Sequence, residues 1–270
     1  MNFLMKSRKP KMIKIDNTLK RLRLTVAHMI LSGREGHIPS SFSILDLIYT
    51  TYAVGLRKKN EFFIDKFVLS KGHGAAALYV VLAEFGVIEA KHIDNYGKTG
   101  SILGGHPDRA KVPGVEANTG SLGHGMPFAV GLALANKILD IDERIFCLVG
   151  DGECQEGTIW EAANIATNQK LDNLVVMVDW NGSAAQLQPV ENLEDKWKAF
   201  GWEILFCNGN SYESVKSAFA EIDFGNQRPK LILAKTTKGY GVSFLQGHGE
   251  WHHKIPDDEQ MLQIELELRE

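Results

Sequence analysis

Short apolar runs recur along this chain at 67–69, 145–149, 174–178, 204–206 and 231–234, separated by helix-length segments with polar periodicity. Strands alternating with helices in this way form a parallel sheet covered by helices, because a parallel connection needs a long crossover. The expected fold is α/β: a doubly wound, mostly parallel sheet with helices on both faces. Helices are expected at 16–32, 43–52, 75–85, 127–139 and 158–168, and the charged tail 257–270 is helix-like. No repeat, low-complexity tract or linker interrupts the pattern, so residues 1–270 are expected to form a single domain.

Composition restricts what such a domain can do. The 270 residues are 44% hydrophobic and carry a net charge of −3, enough apolar content for a full core and too little basic charge for a nucleic-acid binder. The basic run Lys6, Arg8, Lys9, Lys11 and Lys14 is followed by no long apolar segment, so it is expected to be a solvated arm. No membrane span is expected. Cys147, Cys154 and Cys207 are odd in number and lack ligand spacing, which fits reduced thiols in a cytoplasm. Cys147 is expected in strand core, and Cys154 as a buried, inert thiol.

Two of the apolar runs end in hard oxygen ligands. Gly150-Asp151-Gly152-Glu153 closes the run 145–149, and Asn181 follows 174–178. A carboxylate with an amide oxygen leaves an octahedral Mg²⁺ open positions for water, a backbone carbonyl and diphosphate oxygens, so Asp151 and Asn181 are the expected metal ligands. Gly150 and Gly152 suit a strand-to-helix turn with permissive backbone angles and close approach to a phosphate. Taken alone, the element is also an ordinary Asp-Gly turn. Gly120-Ser121-Leu122-Gly123-His124-Gly125 precedes a helix and offers backbone N–H groups to an anion. A nicotinamide loop is the rival reading, but 115–119 is a poor strand and GxGxxG is absent. In parallel sheets such loops converge beyond the carboxyl ends of the strands.

Four histidines, His37, His73, His106 and His252, lie in glycine- or proline-rich loops. Each by itself reads more readily as a surface or hydrogen-bonded structural histidine than as a site residue. Four such loops in one α/β domain favour a site.

The order Gly150 to Gly157 (GDGECQEG), a helix, a second strand and Asp179-Trp180-Asn181 resembles the thiamine-diphosphate signature. From about residue 22 to about 256 the chain resembles the N-terminal, diphosphate-binding half of transketolase. The histidine contexts and Lys235-Thr236-Thr237-Lys238-Gly239-Tyr240-Gly241 match that family's KGH, GHP, WHG and KTxKGxG elements. The resemblance implies thiamine diphosphate held through Mg²⁺ (or Ca²⁺ or Mn²⁺), with Asp151, Asn181 and the carbonyl of Ser183 on the metal. It implies cofactor contacts from Gly120, Leu122, Gly150, Asp151, Gly152, Glu153, Asn181 and Lys238. His37, His73, His106 and His252 would surround the thiazolium carbon and the sugar hydroxyls, and Glu156 would lie near a dimer interface.

The implied reaction is transfer of a two-carbon ketol unit from a ketose to an aldose. Transketolases also need a pyrimidine-binding domain, which follows no part of this sequence. Either a separate subunit supplies it or the chain is an isolated fragment without full activity; the initiating methionine and charged tail read as a complete gene product, so a separate C-terminal subunit is expected, in a 2+2 heterotetramer. Segments 182–188, 208–211 and 33–37 depart from the family pattern, which leaves the sugar pair open, an unusual branched or sulfonated sugar included. Two other readings stand beside this one. One is a 2-oxo acid dehydrogenase or deoxyxylulose-phosphate synthase type of thiamine enzyme, against which the histidines and KTxKGxG argue. The other is a non-catalytic docking module, which has no use for metal ligands.

Overall fold

The computed structural model describes residues 10–269, other than 187, 190, 191 and 248. Five strands form one sheet: β3 (Lys66–Leu69), β4 (Ile145–Gly150), β5 (Leu174–Trp180), β6 (Glu203–Asn208) and β7 (Lys230–Lys235). Every neighbouring pair is parallel, in the order β3-β4-β5-β7-β6. β1 (Lys58–Lys59) and β2 (Phe62–Phe63) form a separate antiparallel hairpin.

Alternate strand residues feed two cores. Phe67, Leu69, Phe146, Leu148, Val175, Met177 and Ile232 pack beneath α1 (Pro10–Gly33), α2 (Ile38–Thr50), α3 (Ala75–Glu84), α7 (Tyr212–Ala220) and α8 (Asp258–Arg269). Val68, Cys147, Val149, Val176, Val178 and Leu233 face α4 (Gly125–Ile138), α5 (Gly157–Asn168) and α6 (Leu193–Ala199). The sheet is thus doubly wound. Its face changes where the chain runs from β5 to the edge at β6 and returns through α7 to β7, since right-handed crossovers in opposite directions place their helices on opposite faces.

Helix α3 (AAALYVVLAE) is buried from Ala75 through Leu82, and its alanines allow close approach to α1 and α2. Helix α2 begins at Ile38, five residues before the expected start, because Pro39 fixes a helical φ in its first turn. This brings His37 to the N-cap. The basic run is not an arm from Pro10 onward: Lys14 is exposed on α1, while Lys6, Arg8 and Lys9 lie outside the described residues.

Register sets the carboxyl ends of the strands at one level. Gly150 pairs with Asp179, and Asp179 with Ala234. The Asp151 amide donates to the Asp179 carbonyl at 3.1 Å, and the Lys71 amide to the Leu148 carbonyl at 3.0 Å. The loops after β3, β4, β5 and β7 therefore open on one edge.

Candidate active site

A buried carboxylate organises that edge. β5 runs two residues past its expected end, so Asp179 is a fully buried strand residue. It accepts from Ser43 Oγ at 2.8 Å, Asn181 Nδ2 at 2.9 Å and the Thr236 hydroxyl, and it pairs with the Lys71 ammonium. An isolated charge here would be costly, and these four donors offset its desolvation. Asn210 extends the network, donating to the Ser43 carbonyl at 3.0 Å and accepting from the Thr237 amide at 2.7 Å. Lys71, Asp179, Ser43 and Thr236 had no role assigned from sequence, although Asp179 and Thr236 stand within the matched motifs. The available signal was a carboxylate inside an otherwise apolar strand.

Asp151 follows β4 and is buried. Its carboxylate accepts from the Gly152 amide at 2.7 Å and the Gly182 amide at 2.6 Å. Burial raises its carboxyl above the ordinary range, opposed by the Lys71 charge. Asn181 presents its side-chain oxygen to the Ser183 amide at 2.8 Å, so Ser183 sits in the turn directly after it. Two neighbouring strands thus end in hard oxygens fixed by backbone amides, a donor set suited to a hard divalent cation. Gly150 and Gly152 do not have the permissive φ expected of them. Around the cleft Gly120, Gly123, Gly182 and Gly249 instead have positive φ, at 132°, 80°, 77° and 111°. Side chains at Gly150 or Gly152 would meet Lys71 or Ala184 only at ordinary contact distance, 3.4 Å. These two glycines keep the floor of the cleft bare.

Glu153, expected to contact the cofactor, accepts hydrogen bonds from Ser70 Oγ, from the Gly123 amide at 2.9 Å and from the Gly150 amide at 3.1 Å. Burial raises its carboxyl. At Gly123, the anion expected before α4 is therefore an internal one.

The histidine loops do converge. Ring centroids of His37 lie 4.7 Å from His73 and 5.2 Å from His252, and His73 lies 5.4 Å from His252 and 6.1 Å from His106. Nitrogens of His37, His73 and His252 fall within 4.8 Å of one another. Burial, reinforced by neighbouring rings, lowers His37 to about 3 and His73 to about 4; burial, with Lys238 opposite, also lowers His252. At neutral pH these are uncharged imidazoles that can both donate and accept, as sugar hydroxyls require. His106 Nδ1 lies 2.7 Å from Thr119 Oγ1 and stands at the rim. His253, which sequence reading did not select, packs 4.6 Å from His37 and lies 3.8 Å from Glu35.

A cleft of about 580 Å³ joins these parts. Its walls include His73, Leu122, Gly150, Asp151, Gly152, Glu153, Ser183, Lys238 and His252. Lys238 Nζ is 3.4 Å from His252 Nδ1, and burial with the nearby Lys71 charge lowers its pKa. His37, His106 and Asn181 contact wall residues or their partners, and Gly120 lies two residues before Leu122. The wall also holds Ser40, Lys71 and Gln155, which sequence reading did not assign. The hard oxygens, bare glycines and two lysines of this wall fit a metal-bound diphosphate, and the neutral imidazoles beside them fit a hydroxylated substrate.

Fold and cleft together define an α/β protein whose ligand site lies beyond the carboxyl ends of a parallel sheet. A family model described as the transketolase thiamine diphosphate binding domain matches residues 15–267, and the chain belongs to this family. It is 40% identical over 257 residues to an apulose-4-phosphate transketolase subunit of Phocaeicola vulgatus, covering 92% of this chain and 91% of that protein. It is 37% identical to a 6-deoxy-6-sulfo-D-fructose transketolase subunit of Clostridium, covering 78% and 80%. Among solved structures, transketolase from Leishmania mexicana superposes with a TM-score of 0.82 at 28% identity, over 94% of this chain but 41% of that one. The chain thus spans about two fifths of that solved transketolase and nearly the full length of the Phocaeicola protein.

Proposed function

We propose that this chain is the N-terminal, diphosphate-binding subunit of a split transketolase. In this reading residues 1–270 form one diphosphate-binding domain, and a separate C-terminal subunit supplies the pyrimidine-binding domain in a 2+2 heterotetramer. The observation that carries the reading is a single cleft whose walls bring together hard oxygens, two lysines and a cluster of neutral imidazoles. The near-full-length match to a protein named as one subunit of a transketolase supports the division into two chains. Free Cys147, Cys154 and Cys207 accord with a cytoplasmic setting.

Asp151, Asn181 and the Ser183 carbonyl would hold Mg²⁺, and Lys238 with the bare backbone at Gly150 and Gly152 would receive the diphosphate. Thiamine diphosphate, when bound, supplies the carbon chemistry of ketol transfer. The chain's own part is placement. His37, His73 and His252 orient the hydroxyls of donor and acceptor and exchange protons with them without a standing charge, and His106 closes the rim. The sugars in the names of the two subunit relatives, apulose-4-phosphate and 6-deoxy-6-sulfo-D-fructose, support an unusual sugar as substrate.

Calorimetric titration of thiamine diphosphate with Mg²⁺ tests this, using the chain alone and then with a candidate pyrimidine-domain partner. Binding that appears or sharpens with the partner is expected. A partner that associates without creating any cofactor binding would favour a docking module of the same fold.

A further inference from the structure

Glu153 is almost fully buried, and both of its carboxylate oxygens accept hydrogen bonds within the protein. Oε1 accepts from Ser70 Oγ and from the Gly123 amide, and Oε2 from the Gly150 amide. The three donors come from three separate segments. Ser70 follows β3, Gly150 ends β4, and Gly123 belongs to the loop that presents Leu122 to the cleft. Gly123 is also held from its other side, where Thr158 Oγ1 donates to its carbonyl at 2.8 Å. Its φ is 80°, and a Cβ there would come within 2.5 Å of Thr158 Oγ1. The peptide is therefore held on one side by Glu153 and on the other by the first turn of α5, with no space for a side chain.

We propose that Glu153 is a positioning residue: although the residue lines the cleft, its carboxylate is turned to the Ser70, Gly123 and Gly150 segments, ties them into the shape that receives the cofactor, and acts through them. The carboxylate is required because it alone offers two acceptor oxygens to donors arriving from both sides. A glutamine in its place must turn an NH₂ toward a backbone N–H or toward Ser70, whichever way the amide is oriented. The charge also strengthens each of the three hydrogen bonds. The effect on the cofactor rests on the reading of this cleft as a thiamine-diphosphate site; the tie between loops does not.

The test uses the full chain and its Glu153→Gln variant, with two readouts. Amide hydrogen exchange without cofactor should quicken at Gly123 and Gly150 while the remaining sheet amides keep their parent rates. Titration with thiamine diphosphate at saturating Mg²⁺, in the presence of the partner subunit, should show affinity about tenfold weaker, within the range found for residues that act through a ligand's immediate holders. Unchanged exchange at both amides would overturn the proposal, and so would affinity within twofold of the parent. Quickened exchange in the variant, together with a parent that binds no cofactor, would sink the cofactor reading and leave the tie standing. Should Glu153→Gln fail to fold, Ser70→Ala removes only one of the three donors. It should weaken binding about two- to threefold, and parental exchange and affinity in that variant would overturn the proposal.

Discussion

Lys71 and Asp179, 108 positions apart in sequence, form a buried ion pair between the loop after β3 and the end of β5. The pair fixes the cleft from beneath: Lys71 lies against Gly150 and Asp151, and Asp179 holds Asn181 by its amide. A site assembled from four strand ends needs such a cross-tie, since no single segment carries two of them.

Removing one member of this pair leaves the other buried without its charge partner. Lys71→Met should cost about 3–5 kcal/mol of unfolding free energy, in the range for broken buried pairs. Urea unfolding measures it. A loss below about 1 kcal/mol would place the pair with weak surface ion pairs.

Asp151→Ala should leave the circular dichroism spectrum of the folded chain intact and weaken Mg²⁺-dependent binding of thiamine diphosphate about a hundredfold or more. The calorimetric titration described above reads this directly. Parental affinity in the variant would remove Asp151 from the metal.

Acid should destabilise the histidine cluster. Burial holds His37 and His73 neutral down to about 3 and 4, whereas an unfolded histidine protonates near 6.5. Below about pH 6.5 the unfolded chain gains protons that the folded cluster refuses, so stability falls with pH from there toward the folded values. Buried carboxyls with raised pKa, Asp151 and Glu153, act in the opposite sense, so the informative quantity is a difference. His73→Gln should lose less stability than the parent between pH 7 and pH 5. Parallel melting curves for the two proteins would contradict the burial argument.

His106 stands at the rim and bonds Thr119, outside the buried cores. His106→Ala should therefore melt near the parent while ketol transfer by the two-subunit enzyme falls about 10²-fold, the scale of a lost proton-transfer group. Unchanged transfer would take His106 off the site.

Cys147 and Cys154 are fully buried, with thiols pushed well above their usual range, and Cys207 is pushed up to about 12 by burial. Native protein should resist iodoacetamide at all three, with modification appearing only in denaturant, as read by intact-mass spectrometry. Rapid native labelling of Cys154 would mean that the loop beside Asp151 opens.

Sequence alone determined the class of fold and, through the family's motifs, which residues to look for at a site. Apolar runs and their spacers fixed the strands to within a few residues, because burial on both faces of a parallel sheet leaves a local signature. Asp151, Asn181 and the loop histidines were singled out by glycine- and proline-rich contexts that match the transketolase motifs, since each taken alone also fits an ordinary turn or a structural histidine. Only tertiary structure decided what these residues do to one another. It placed Lys71 on Asp179 and His253 beside Glu35, and it turned Glu153 inward toward three loops. It also gave the positive φ to Gly120, Gly123 and Gly182 and withheld it from Gly150 and Gly152. Those outcomes depend on strand register and on which loop faces which across the sheet edge, contacts between segments far apart in sequence that leave no periodic trace within either one.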